Sequence, residues 1–370
     1  MTGATTPAAP GHALRQSLAH GPLGVALLDI ERARRGTGDW ATVHRRLASV
    51  GPLVAGPEAG LFLGAPAMAF VLHLAAADSH RYANALTTLD TIVAAHTRRR
   101  LDAAHRRIDQ GRPTSFAEYD LLRGLTGIGA LLLHRAPEGL LLRDVLRYLV
   151  RLTEPVNARP GWSVWHGPTN LDSPAPGGHA NAGLAHGIAG PLALLALATC
   201  RGITVPGQHH AMRRVCHWLD RIRDPRGSHW PRWVSAAGTD HGPANASWCY
   251  GTPGLARAQQ LAALALGDDR RQREAERALL DCLNDPQQLD RLTDRGLCHG
   301  VAGLLRTTWR VAQDAKQPGP LTEQLPCLAE RFRALPPAQE VGFFEGTTGE
   351  ALASHAGGMT ADWDACLLLS

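Results

Sequence analysis

Apolar positions along the chain fall into seven near-continuous stretches: VALLDIERA, MAFVLHLAA, IGALLLHRA, PLALLALAT, LARAQQLAALAL, LLRTTWRVA and EALASHA. Each is apolar round much of a helical circumference, which predicts buried helices. Between them lie segments with apolar residues at helical spacing and arginine on the opposite face, such as ATVHRRLASV, LLRDVLRYLVRLTE, AMRRVCHWLDRI and REAERALLDCLN. These predict outer helices with one wet face. Alternating β-branched runs, the mark of strands, are almost absent.

A Gly-x-x-Gly element opens every buried stretch. The copies are HGPLG (20–24), GAPA (64–67, with Ala67 in place of the second glycine), GLTG (124–127), HGIAG (186–190), YGTPG (250–254), HGVAG (299–303) and EGTTG (345–349). They recur at intervals of roughly 45 to 65 residues, the range of helical repeat arrays. Buried and half-buried helices alternating seven times predict an all-α fold, an α/α toroid of about fourteen helices in two concentric layers. An open helical solenoid is the alternative. The glycines at i and i+3 are expected to start each inner helix and to allow close backbone approach there. Residues 1–10 read as a mobile leader, and 11–370 as one toroid domain.

The repeats define a register. Two residues before the first glycine stand Ala19, Phe62, Leu122, Ala185, Cys249, Cys298 and Phe344. One residue before it stand His20, Leu63, Arg123, His186, Tyr250, His299 and Glu345. Equivalent positions of a toroid face the same end of its cavity, so Cys249 and Cys298 are expected side by side, with His299 adjoining and His186 one repeat earlier. Two thiolates and an imidazole with an open fourth position are the donor set of a catalytic zinc site. The competing reading is two buried core cysteines and a core histidine that has satisfied its hydrogen bonds. Cys200, Cys216, Cys282, Cys327 and Cys366 lie in apolar or amphipathic stretches or the tail and read as small hydrophobes.

Composition narrows the field. Of 370 residues, 44% are hydrophobic and 19% charged, enough for a sizeable core. No apolar run reaches the roughly 18 residues of a membrane span, and no signal peptide is evident. Net charge is +5, yet the basic residues are dispersed and Lys316 is the only lysine, which argues against nucleic-acid binding. Seven cysteines without a secretion signal argue against a disulfide framework and for the cytoplasm.

Three segments, NAGLAHGIAG (181–190), SWCYGTPG (247–254) and LCHGVAG (297–303), resemble the signatures of lanthionine synthetase C-like cyclases. The tail WDACLLL (363–369) is similar to the end of bacterial members, and the resemblance runs through all seven repeats. It implies a toroid with zinc on Cys249, Cys298 and His299. It also implies addition of a peptide cysteine thiol to dehydroalanine or dehydrobutyrine, giving a thioether ring. His186 matches the family's active-site histidine, suited to general acid work. Asp120, in YDLLRG (119–124), matches an acidic residue that takes the thiol proton or orients a neighbour. A helix-start aspartate is the plainer reading of Asp120. The implied substrate is a dehydrated precursor peptide, with a separate dehydratase and a place in a biosynthetic complex. Asn245 departs from the pattern: the family commonly carries an arginine there, so that contact to substrate or enolate is missing at this position.

Two loops, 156–182 and 224–247, are rich in Pro, Gly and Trp and are not expected to be helical. Trp162, Trp165, Trp230 and Trp233 either line a peptide path or cap the rim. His166 and His179 are further histidines within reach of the metal end. Two other functions remain open: an α/α-toroid glycosidase using Glu345 and Asp120, and a non-catalytic thiol- or glutathione-binding member of the same family.

Overall fold

The structure, a computed structural model, describes residues 14–370 except 55, 77–78, 168–172, 226–228, 236–237, 240–244 and 355–359. The leader expected at 1–10 lies outside these residues. The longer helices, in chain order, are α1 (Pro22–Arg34), α2 (Trp40–Ala48), α3 (Ala65–Ala76), α4 (Ala83–Asp109), α5 (Leu125–Arg135), α6 (Leu140–Leu152), α7 (Ala189–Cys200), α8 (Gln208–Ile222), α9 (Thr252–Leu266), α10 (Asp269–Leu283), α11 (Val301–Asp314), α12 (Gln324–Ala334) and α13 (Thr347–Ser354). Odd-numbered helices carry the seven predicted apolar stretches. Each packs on the next odd-numbered helix, and α13 packs back on α1, so these seven form a closed ring. Each even-numbered helix packs against the odd-numbered helix before it. Burial follows the pattern: Ala189 to Ala198 of α7 are all buried, whereas α6 buries Leu142, Val145, Leu146, Leu149 and Leu152 along one stripe.

A belt of backbone hydrogen bonds runs round the ring through the register positions. The amide of Leu18 donates to the carbonyl of Phe62 (3.0 Å), Phe62 to Leu122 (3.2 Å), and Leu121 to Ala185 (3.0 Å). Ala185 then donates to Cys249 (3.1 Å), Cys249 to Cys298 (3.3 Å), Leu297 to Phe344 (2.6 Å), and Phe344 to Ala19 (3.1 Å). Every equivalent carbonyl is thereby satisfied by a neighbouring repeat, as buried backbone requires.

The second glycine of the repeat serves a closer contact than the one expected between inner helix ends. A Cβ on Gly254 would lie 2.0 Å from the Trp248 carbonyl oxygen, and one on Gly303 2.0 Å from that of Leu297, six residues back in its own turn. Neighbouring repeats are met as well: a Cβ on Gly349 would lie 2.7 Å from Leu297 of the repeat before. The repeat with Ala67 turns differently, because Gly64 has φ +73°.

The last residues fill the ring's interior. A 3₁₀ turn, Trp363–Leu367, is buried and packs on α5. Arg306 and Arg310 both hold Asp364, at 2.7 and 2.6 Å. Arg257 donates to the Leu369 carbonyl at 2.7 Å, and Trp248 Nε1 to that of Leu367 at 3.0 Å.

The chain is mostly helical but departs from all-α. The two long loops carry no helix among their described residues, as expected, but they pair into an antiparallel sheet, β1 (Val164–His166), β2 (Pro174–Asn181), β3 (Trp233–Ser235) and β4 (Gly238–Thr239), in that order. β2 reads PAPGGHAN, without β-branched alternation, and its partner β3 lies beyond two helices. A strand held by backbone pairing with so distant a partner leaves no periodic trace in its own sequence.

Candidate metal centre and flanking histidine

The odd-numbered helices begin at the belt, so the residues just before their glycines gather on one rim. Cys249, Cys298 and His299 come together there, with ligand-capable atoms all within 4.8 Å of one another. No other three histidine, cysteine or acidic residues gather so among the described residues. Cys249 Sγ lies 3.7 Å from His299 Nδ1 and 3.7 Å from Ser247 Oγ. His299 Nε2 faces Glu345 Oε1 at 3.2 Å.

Charge is shared within the cluster. A hydrogen bond from the Cys298 thiol, joined by His299 and Ser247, holds the Cys249 thiol well below the ordinary range despite burial. The same bond, with burial, pushes Cys298 well up. The bond to Cys249 raises His299 to about 9. Burial raises the Glu345 carboxyl. The cluster thus favours the charged forms of Cys249 and His299 side by side, donors that give up protons when a cation binds.

The donor set fits zinc. Bonds of about 2.3 Å to sulfur and 2.0 Å to nitrogen set tetrahedral ligand separations of roughly 3.5–3.8 Å, which the 3.7 Å between Cys249 Sγ and His299 Nδ1 meets. The outward nitrogen of His299 meets a carboxylate, the usual outer partner of a ligating imidazole. Cys298 and His299 are adjacent in sequence, yet the turn before Gly300 aims both at one point.

One repeat earlier, His186 Nδ1 lies 2.7 Å from Asp120 Oδ2. Asp120 is fully buried, and its other oxygen accepts the amides of Arg123 (2.7 Å) and Gly124 (2.8 Å). One oxygen of Asp120 thus meets His186, and the other meets the N–H groups at the following helix start. The His186 ring is flanked by Phe116 and Tyr250, with centroids 5.6 and 5.9 Å away. Tyr250 adjoins Cys249, which links the two halves of the rim.

His166 and His179 are not in the ligand cluster. They surround Phe116, with centroids 4.6 and 5.8 Å from its ring. Trp162 and Trp230 are buried, and Trp230 donates to the Leu219 carbonyl at 3.0 Å, so these two are anchors. Trp165 is exposed, and Trp233 lies 6.1 Å from the His179 ring. Sequence reasoning missed Phe116, and it noticed Glu345 only as a sugar-cleaving acid. The register position of Glu345, one repeat after His299, was the clue to its place.

A closed ring of seven inner helices with a soft-donor cluster on its rim sets the class. The chain belongs to the lanthionine synthetase C-like family, whose profile matches residues 12–368. It is similar to the nisin biosynthesis protein NisC of Lactococcus lactis subsp. lactis, with 25% identity over 268 residues, 66% of this chain and 60% of that protein. The matched region thus spans less than two thirds of that relative's length. The solved structure of nisin cyclase shares the fold, with a TM-score of 0.82 and 21% identity over 96% of this chain and 92% of that one.

Proposed function

We propose that the protein is a zinc-dependent lanthipeptide cyclase that adds peptide cysteine thiols to dehydroalanine or dehydrobutyrine, forming (methyl)lanthionine thioether rings. The observation that carries this reading is the convergence of Cys249, Cys298 and His299 next to a histidine oriented by a buried carboxylate. The ring corresponds to a full double toroid of about fourteen helices with this rim as its working face.

Cys249, Cys298 and His299 would hold the ion. Zinc bound there supplies Lewis acidity that keeps a thiol ionised at neutral pH, where a free thiol of pKa about 8.5 is only a few per cent thiolate. Asp120 accepts the Nδ1 proton of His186, which leaves Nε2 with its lone pair toward the cavity. Nε2 takes the substrate thiol proton. The sulfur then bonds to the β-carbon, the C=C electrons move to the carbonyl as an enolate, and His186 returns the proton to the α-carbon. No atom is gained or lost. Phe116 and Tyr250 confine the imidazole and shield it from water. Asp120 acts as an orienting group, since it is buried and already accepts two amides.

The partners in this reading are a dehydrated precursor peptide and a separate dehydratase that supplies it, together in a biosynthetic complex. Seven free cysteines fit a reducing compartment, the cytoplasm. Among the described residues no helix is long and apolar enough to cross a membrane.

Asn245 favours a second reading, a family member that binds a thiol such as glutathione without cyclising peptides. Metal analysis together with thiol alkylation and mass spectrometry of a dehydrated peptide separates the two. The addition is mass-neutral, so ring closure is read as loss of alkylatable thiols. About one zinc per chain with thiol loss is the expected result. Zinc with every thiol still alkylatable selects the thiol-binding reading, and absence of zinc removes both.

A further inference from the structure

A second recognition site lies away from the rim. A cleft of about 420 Å³ opens between α8, the segment 153–163 and strands β2 and β3. Among the described residues, Arg159, Arg214 and Arg221 line it, and no aspartate or glutamate does. Several buried and half-buried arginines elsewhere in the molecule are neutralised by carboxylates. Arg107 pairs with Glu118 at 2.7 Å, Arg271 with Asp220 at 2.6 Å, and Arg310 with Asp364 at 2.6 Å. The three cleft arginines behave differently. Arg214 donates to the neutral Thr153 hydroxyl at 2.6 Å, Arg159 donates to the Gly177 carbonyl, and Arg221 is exposed on the last turn of α8. None of them is in an ion pair among the described residues. Trp162 and Trp218, edge to face at 5.1 Å, give the cleft an apolar wall.

We propose that this cleft binds an acidic segment of a peptide substrate. Guanidinium groups match carboxylates in a two-point fork, and unpaired ones clustered over aromatic surface make such binding both charged and apolar. The cleft connects to the rim through a single strand. Gly177 to Ala180 of β2 wall the cleft, and the same strand ends at Asn181, five residues before His186. A peptide anchored in the cleft is thereby held close to the site where its thiols react, which raises their local concentration. The role as a substrate anchor rests on the cyclase reading, whereas the binding itself does not.

The probe is a fluorescein-labelled decapeptide of alternating aspartate and serine, titrated by anisotropy against the zinc-loaded full chain. Arg221→Glu is expected to weaken binding about tenfold, and Arg214→Glu/Arg221→Glu further. Arg98→Glu/Arg99→Glu, two exposed arginines on α4, serve as the control and are expected to stay within about twofold, because distant surface charges are screened. Arg221 is exposed, so its single variant also covers the case in which the double variant misfolds. Equal loss in the control, or tighter binding of an RNA oligonucleotide of the same charge, overturns the proposal. In the cyclisation assay, Arg221→Glu is expected to raise KM for an acidic precursor, with the loss falling on KM. Unchanged KM in a protein that cyclises removes the anchor role and leaves the cyclase reading standing. Decapeptide binding without any cyclisation removes the cyclase reading and leaves the cleft.

Discussion

Asp120 holds His186 with one carboxylate oxygen, 2.7 Å from Nδ1, and holds its own turn with the other. The pairing fixes which imidazole nitrogen faces the cavity, and this sets the first prediction. Asp120→Asn keeps an oxygen for the amides of Arg123 and Gly124 but presents an NH₂ to Nδ1. The imidazole is then driven to the other tautomer, with Nε2 protonated and unable to take a thiol proton. Cyclisation is expected to fall by about 10²–10⁴ with zinc content and melting temperature nearly unchanged, as for a general base deprived of its orienting group. His186→Phe is expected to retain zinc and lose ring formation. Full activity in either variant removes the proton-transfer role.

Cys298→Ala removes one of two sulfurs from a three-ligand set. Bound zinc, measured by mass spectrometry of the purified chain, is expected to drop from about one equivalent to near zero after dialysis against a weak chelator. Zinc content equal to that of the unaltered chain rejects the ligand assignment.

Glu345 lies 3.2 Å from the nitrogen of His299 that faces away from the cluster. With an ion bound, it would hold a proton on Nε2 and leave the Nδ1 lone pair for the metal. Glu345→Ala is expected to weaken metal affinity about 10–100-fold, the range for outer partners of ligating histidines. Glu345→Gln retains an acceptor oxygen and is expected to recover part of that loss. The check is competition for zinc against a chromophoric chelator. Identical affinities in all three proteins would show that His299 needs no such partner.

Much of this architecture is legible in the sequence because the repeat is a physical unit. A buried helix needs a continuous apolar face, and its start needs glycine where the chain crosses its own carbonyl, so both leave marks at fixed spacing. The register of Cys249, Cys298 and His299 follows from those marks, and the belt through the Cys249 amide and Cys298 carbonyl realises it. The sheet was hidden for the opposite reason: β2 is built from proline and glycine and is held by a distant partner. Phe116 was hidden too. It comes from a one-turn helix outside the repeat and reaches the histidines only through tertiary packing. The pairing of Glu345 with His299 joins consecutive repeats at one register position, so its trace lay in the repeat itself.

The interior ion triad of Asp364 with Arg306 and Arg310 makes stability depend on acid. Burial pushes the Asp364 carboxyl up, but the hydrogen bonds and charges of Arg310 and Arg306 outweigh it and hold the group at about 2, below its ordinary 3.8. A carboxyl with a lowered folded value stabilises fully above its unfolded value and loses that stabilisation as pH falls through the folded one. The window is therefore about pH 4 down to 2, and the contribution is on the order of 2 kcal/mol. Asp364→Asn leaves two guanidiniums without a counter-charge, Arg306 buried and Arg310 partly so, and is expected to cost about 3–5 kcal/mol at pH 7. Urea midpoints of both proteins at pH 7, 4 and 2.5 test this as a difference, in which zinc loss and the titration of other carboxylates cancel. The gap is expected to be constant from pH 7 to 4 and to narrow below it. A gap of the same size at pH 2.5 would mean that Asp364 stabilises the tail by packing and neutral hydrogen bonds. The charge would then play no part in holding Leu367, whose carbonyl receives the Trp248 ring N–H next to Cys249.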